Sequence, residues 1–224
     1  MNPDNSQASA LPVLYSLRNC PYAMRARMAI FKAKQPVALR NVVLSDKPKE
    51  MIEASPKATV PVVVLSDGSV IDESLDVMLW ALHQSDPDNL LQKEIPHALT
   101  EMLGLIHIFD SEFKTCLEQY RCAKRYHEDN MIECRIDCEK YIKQLENRLI
   151  NNAFLFNNQE GLADIALLPF IRQFAQVERQ WYLQSAYPNL RRWLNSYLQS
   201  PFFTKVMAKH PLWLDNREEI VFGG

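Results

Sequence analysis

Val13-Leu14-Tyr15-Ser16-Leu17-Arg18-Asn19-Cys20-Pro21-Tyr22-Ala23-Met24 is the stretch that decides how this chain is read. The alternation over residues 13–17 predicts a strand, and residues 24–34 predict a helix. Cys20 falls just before that helix begins. There the unsatisfied N–H groups of the first turn and the positive end of the helix dipole favour a thiolate over a thiol. Pro21 suits the first helical position, whose N–H would have no intrahelical partner. Arg18 and Arg25 add positive charge nearby. A cysteine taken at random is more often a small buried apolar residue. The strand–Cys–Pro–helix context shifts the reading to a reactive one.

Outward from this stretch, residues 11–85 alternate between strand and helix signals. Residues 37–43 predict a second strand, and residues 45–55 a short polar helix with Pro48 near its start. Val60-Pro61-Val62-Val63-Val64-Leu65 reads as a buried strand, being β-branched and apolar. Asp67-Gly68 is a hairpin signal, and residues 69–71 return as its partner. Ser74 is placed to cap a third helix, in which Leu75, Met78, Leu79 and Leu82 form an i, i+3, i+4, i+7 stripe. The order is β-α-β-α-β-β-α, with the first two strands parallel because a helix joins them. Ala23, Ala26, Ile30 and Ala33 give the first helix a mostly small face that would lie close on the sheet.

The pattern changes at Ser85-Asp86-Pro87-Asp88-Asn89, a polar, turn-forming linker. Beyond Pro96 no segment reads as a strand. Long helices are expected over residues 96–124 and 130–150, then helices over 162–177, from Pro188 onward and over 202–208. The expected architecture is thus an α/β domain over residues 11–85 followed by an all-α domain over residues 94–224. Residues 1–10 read as a disordered tail. A strand in the second half that paired with the first sheet would contradict this division.

Composition narrows the function classes. The chain has 224 residues, 47% hydrophobic and 23% charged, with a net charge of −2. No basic field with interleaved aromatics points to nucleic acid, and no apolar run approaches a membrane span. The first ten residues lack the basic and apolar regions of a signal peptide, so a cytoplasmic protein is expected. Five cysteines (Cys20, Cys116, Cys122, Cys134 and Cys138) argue against a disulfide framework. Cys134 and Cys138 would share a helix face, but none of the usual close Cys pairs is present, so reduced thiols packed on helices are expected rather than a metal site.

These features together resemble the cytosolic glutathione transferase family, whose members join a thioredoxin-like domain to an all-helical domain. The resemblance covers nearly the whole chain and is most specific over residues 13–82. Cys20-Pro21-Tyr22-Ala23 resembles the active-site motif of the cysteine-containing, omega-like glutathione S-transferases. Thr59-Val60-Pro61 resembles the loop before the third strand, where the family's proline is cis. Asp72-Glu73-Ser74 resembles the glutathione-carboxylate motif, and Lys47-Pro48 matches a pair found in omega-like members. Gly161-Leu162-Ala163-Asp164 resembles the family's Ser/Thr-x-x-Asp helix start, with Gly161 in place of the capping hydroxyl.

The resemblance implies glutathione as co-substrate, with no tightly bound cofactor. Val60 beside Pro61 would pair with the backbone of the ligand's cysteine. Ser74 would hold the γ-glutamyl carboxylate at a helix start, Glu73 its ammonium and Lys47 the glycine carboxylate. Taken singly, these are also a strand entry, a helix cap, a first-turn charge and a solvated lysine. Cys20 in the place of a Tyr or Ser implies mixed-disulfide chemistry: thiol transfer, deglutathionylation or dehydroascorbate-type reduction. Ala23 stands where a dithiol glutaredoxin carries its second cysteine, so a second glutathione would complete the cycle. The partner would be a small electrophile or disulfide, in a pocket between the domains walled by Tyr22, Phe113, Cys116 and Tyr120. A homodimer is implied by the family alone. Three other readings stand beside this one: ordinary conjugation, a non-catalytic regulatory module, and a two-cysteine redox enzyme using a helical thiol.

Overall fold

The computed structural model describes residues 11–224. The expected tail over residues 1–10 lies outside the described residues. The described residues divide into two compact units, residues 11–85 with 208–224, and residues 86–207.

The first unit is built on β1 (Val13–Ser16), α1 (Pro21–Lys32), β2 (Val37–Asn41), α2 (Lys49–Ala54), β3 (Val62–Val64), β4 (Val70–Ile71) and α3 (Ser74–Gln84). Chain order matches the sequence pattern element by element. β1 runs parallel to β2, with Val13 beside Ala38, and antiparallel to β3, with Val13 beside Val64. β4 pairs antiparallel with β3. Between those two, Asp67 accepts the Ser69 N–H through Oδ1 at 2.9 Å. The small residues of α1 do what their size allows: Ala23, Ala26 and Ala29, with Ala33 at the C-cap, are wholly buried, and the helix packs along α3. Ala23 joins Tyr15, Val42, Met51, Val60 and Val62 in one apolar cluster.

The C-terminal segment corrects the expected division. Residues 208–224 belong to the first unit, and the all-helical region ends at residue 207. After α11 (Trp213–Asn216), strand β5 (Ile220–Phe222) adds to the sheet beside β2, giving the order β4-β3-β1-β2-β5. It runs antiparallel to β2, with Leu39 beside Ile220. Three residues carry too little alternation to read as a strand, and the free edge of β2 supplies what they lack. Trp213 Nε1 donates to Glu50 Oε1 at 2.8 Å, and the Arg217 guanidinium reaches the same oxygen at 2.6 Å. Arg40 lies 4.2 Å from the centre of the Trp213 ring. Gly223 closes the segment at φ 92°, where a Cβ would stand 2.2 Å from the Gln35 carbonyl oxygen.

The regular secondary structure of the second unit is all helical. α4 (Ala98–Ile108) and α5 (Lys114–Tyr126) are joined by a π-helical turn over Phe109–Phe113, so the single long helix expected there contains one wider turn. That turn aims Phe109 and Phe113 inward with ring centroids 4.8 Å apart. α6 (Met131–Arg148) and α7 (Leu162–Val177) follow, the latter with the bounds its apolar spacing predicts and Pro169 inside it. α8 (Arg179–Gln184), α9 (Pro188–Leu198) and α10 (Pro201–Val206) complete the unit.

At the start of α7, Asp164 is fully buried and accepts three N–H donors. These are Gly161 N at 3.0 Å, Leu155 N at 3.0 Å and Trp193 Nε1 at 2.8 Å. Burial pushes its carboxyl up to about 7, and the same three donors oppose that shift. A capping side chain at Gly161 would require neighbouring side chains to move. A Cβ there would stand 2.7 Å from Met102 Sδ and 3.3 Å from Gln92 Nε2.

Candidate functional site

Cys20 is the N-cap of α1, with extended backbone angles (φ −72°, ψ 124°) and no side-chain capping hydrogen bond. Its N–H donates to Leu17 O at 3.2 Å, and its carbonyl accepts the Met24 N–H at 2.8 Å. These two bonds set where the sulfur emerges. Cys20 is half-buried, and Sγ lies 3.8 Å from the Val60 carbonyl oxygen. The Val60–Pro61 peptide is cis, as the loop motif implied. Cys20 and the Val60–Pro61 loop, forty residues apart in sequence, therefore share one spot at the start of α1.

The second part of the motif sits at the start of α3. Glu73, not Ser74, occupies the N-cap position, and Ser74 is the first helical residue. Ser74 is buried, and its Oγ accepts a hydrogen bond from Arg25 Nε at 3.0 Å. This bond ties the Ser74 turn to α1. It also changes the reading of Arg25, which is buried against α3 and lies 5.2 Å from the centre of the Tyr22 ring. Glu73 is exposed and pairs with Lys57 Nζ at 2.7 Å. Lys57 also bridges to Asp72 at 3.1 Å, and Asp72 accepts from Ser55 Oγ at 2.7 Å. The hydrogen bond from Ser55, then that from Lys57, holds the Asp72 carboxyl below the usual carboxylate range. Lys47 is half-buried in the turn between β2 and α2 and makes no ion pair with the described residues.

Sequence reading missed Lys57, which two carboxylates claim, and the burial of Arg25. Lys57 lies in a polar turn indistinguishable from a solvated one. Arg25 did carry a signal, a charge within the small-residue run of α1.

The four residues proposed for an acceptor pocket separate. Phe113 and Tyr120 are fully buried within the helical unit, which corrects their expected role as pocket walls. Phe113 packs on Phe109, Tyr141 and Phe174. Tyr120 packs on Phe174, and its hydroxyl donates to Glu178 Oε2 at 2.8 Å. Large aromatics on an inward helix face fill a core before they line a cavity. Cys116 on α5 and Tyr22 on α1 are half-buried. All five cysteines are free thiols. Burial pushes Cys138 far up and Cys116 and Cys134 upward. Among the described residues no group of three or more His, Cys, Asp or Glu side chains is arranged to hold a metal, and no helix is long and apolar enough to cross a membrane.

With this geometry in view, residues 14–89 match the family model for the glutathione S-transferase N-terminal domain, and residues 117–196 match that for the C-terminal domain. The chain belongs to the glutathione transferase family. Mouse (Mus musculus) glutathione S-transferase omega-1 is 24% identical over 88% of this chain and 81% of its own. The crystal structure of glutathione transferase Omega 3C from Trametes versicolor matches with a TM-score of 0.77 at 18% identity, over 92% of this chain and 93% of that one. A Pseudomonas fluorescens family member with two glutathione molecules bound matches with a TM-score of 0.76 at 17% identity, over 91% and 95% of the two chains. The thioredoxin-like sheet followed by a helical domain is the fold of this family.

Proposed function

We infer that this glutathione transferase is a thiol transferase whose nucleophile is Cys20. The observation that carries the reading is the placement of Cys20 Sγ at the start of α1, 3.8 Å from the carbonyl beside cis-Pro61. In this reading glutathione lies along the Val60–Pro61 edge, pairing its cysteine backbone with Val60. Ser74 and Glu73 receive its γ-glutamyl end at the start of α3, and Lys47 its glycine carboxylate. Because Lys57 pairs with Glu73, the ligand ammonium would join or replace that lysine.

The chemistry follows from thiolate exchange. The Cys20 thiolate attacks the glutathionyl sulfur of a mixed disulfide, forming a Cys20–glutathione disulfide and releasing the partner as its thiolate. A glutathione thiolate then attacks the glutathionyl sulfur of that adduct, releasing Cys20 and forming oxidised glutathione. Ala23 is wholly buried one turn along α1, so no local thiol competes with the second glutathione. The same cycle accepts small disulfides, and reductive removal of glutathionyl groups from adducts is a related use. Tyr22, on the same helix as Cys20, is the candidate contact for the second substrate. A cytoplasmic homodimer is the form this reading assigns to the protein, on the family's precedent.

The test is intact-protein mass after treatment with oxidised glutathione, alongside reductase-coupled turnover. Wild type should gain one glutathionyl group at Cys20, and Cys20→Ser should gain none there and lose turnover. An adduct with turnover in Cys20→Ser would assign the chemistry to another cysteine. Glutathione binding without turnover in the wild type would favour the regulatory reading.

A further inference from the structure

The turn that carries Cys20 is gripped by a single buried side chain, Arg27. Residues seven apart share a helix face, so Arg27 lies on the same face of α1 as Cys20. Arginine is almost never fully buried without partners, yet Arg27 is only 3% exposed. Long helical side chains lean back toward the helix N-terminus, and here that lean brings the guanidinium to the β1–α1 connection. Nη1 donates to Ser16 Oγ and, at 3.2 Å, to Leu17 O. Nη2 donates to Arg18 O at 2.6 Å.

Leu17 O is also the acceptor for the Cys20 N–H. One guanidinium therefore fastens three consecutive residues and shares an acceptor with the amide of the proposed nucleophile. Burial pulls Arg27 down to about 10, with the nearby Cys20 acting in the opposite direction, so the group remains charged at neutral pH. A planar fork with donors on two branches suits this set of acceptors, whereas an ammonium presents one point of charge.

We propose that Arg27 is the positioning residue of this site, holding residues 16–18 so that Cys20 is presented at the start of α1. The proposal rests on the reading of Cys20 as the nucleophile. What sets it apart from a role in binding glutathione is that Ser16, Leu17 and Arg18, the acceptors named above, run directly into the turn before Cys20.

The experiment measures alkylation of Cys20 by iodoacetamide at fixed pH, read by peptide mass so that the other four cysteines are distinguished. kcat and the KM for glutathione are measured alongside, and Arg27→Gln, Arg27→Lys and Ser16→Ala are compared with wild type. Displacement of a reacting atom by about 1 Å costs on the order of 100-fold. Arg27→Gln should accordingly lower both the alkylation rate and kcat by roughly 10- to 100-fold, with KM within about 2-fold. Arg27→Lys keeps the charge without the fork and should recover little of the loss. Wild-type alkylation in Arg27→Gln, or full recovery in Arg27→Lys, would overturn the proposal. Should Arg27→Gln fail to fold, Ser16→Ala decides. Removing one of the three acceptors should slow alkylation by about 3-fold, and an unchanged rate would overturn the proposal. Turnover in Cys20→Ser would count against the nucleophile assignment, whereas normal alkylation in the Arg27 variants would count against positioning alone.

Discussion

Two helix starts in this molecule solve the same problem in opposite ways. At α7, Gly161 supplies the N-cap backbone and Asp164 reaches back to its N–H, then takes two further donors from Leu155 and Trp193. Both carboxylate oxygens are engaged and the group is sealed from solvent. At α1, Cys20 occupies the N-cap, makes no capping hydrogen bond and is half-buried as a residue. A cysteine is a poor cap beside Ser, Thr, Asp or Asn. The first arrangement uses its polar contacts to close the helix start, and the second leaves the cap position without a side-chain hydrogen bond. Helix starts are where unsatisfied backbone donors gather, so the same local physics serves either purpose, depending on which side chain stands there.

The largest expected effect on stability tests the closed start. Asp164→Ala would strand three N–H donors in a dry site, and each buried donor left unsatisfied costs about 1–3 kcal/mol, so a loss of about 3 kcal/mol or more is expected. Denaturant unfolding should show that loss as a lower midpoint. A loss under about 1 kcal/mol would mean that water replaces the carboxylate, and the contrast between the two helix starts would collapse.

Gly161→Ala probes the same start by volume. Its Cβ would press on Met102 Sδ at 2.7 Å and Gln92 Nε2 at 3.3 Å. Because both are ends of flexible side chains, the cost should be about 1–2 kcal/mol rather than a failure to fold. Gly161→Ser should be no more stable than wild type, since the same wall meets its added cap. A stabilised Gly161→Ser in thermal unfolding would show that the missing hydroxyl has no steric reason.

Cys20→Ser sharpens the comparison from the open side. Serine is the better N-cap, so this variant should be as stable as wild type or more stable by up to about 1 kcal/mol, while thiol transfer is lost. A drop of more than about 1 kcal/mol would assign Cys20 a structural role like that of Asp164.

The smallest expected effect is a dependence on pH. Burial raises the Glu178 carboxyl, but hydrogen bonds from Tyr120 and Arg135, with the charges of Arg135 and Lys124, bring it below its ordinary value. A depressed carboxylate adds stability above its unfolded pKa of about 4.3 and loses it as pH falls through the folded value. Below about pH 4.3 the wild-type chain should therefore lose more stability than Glu178→Gln, by about 1 kcal/mol or less because the group is partly exposed. Parallel curves for the two proteins in acid would show that this network contributes nothing through its charge.

Much of the fold was legible because its signals are local. The period of α7, the stripe of α3 and the Cys–Pro start of α1 are set by neighbours within a turn or two, whereas the N-cap of α3 falls on Glu73 and not on Ser74. The parallel pairing of β1 with β2 follows from the helix between them. The site motif was legible only through resemblance, since Val60, Glu73, Ser74 and Lys47 each have an ordinary structural reading.

What the sequence by itself determined is the alternation of elements over residues 11–85 and the placing of Cys20 where a helix begins. Tertiary structure alone decided that Ile220-Val221-Phe222 becomes a strand, because three residues need the exposed edge of β2 to satisfy their backbone groups. It decided that Phe113 and Tyr120 fill the helical core, because an amphipathic pattern cannot say which apolar positions meet a neighbour and which meet a cavity. It also decided that Arg25, Arg27 and Lys57 are occupied rather than solvated. Long charged side chains find their partners several ångströms from their own backbone, and those partners are brought within reach only once the chain has closed on itself.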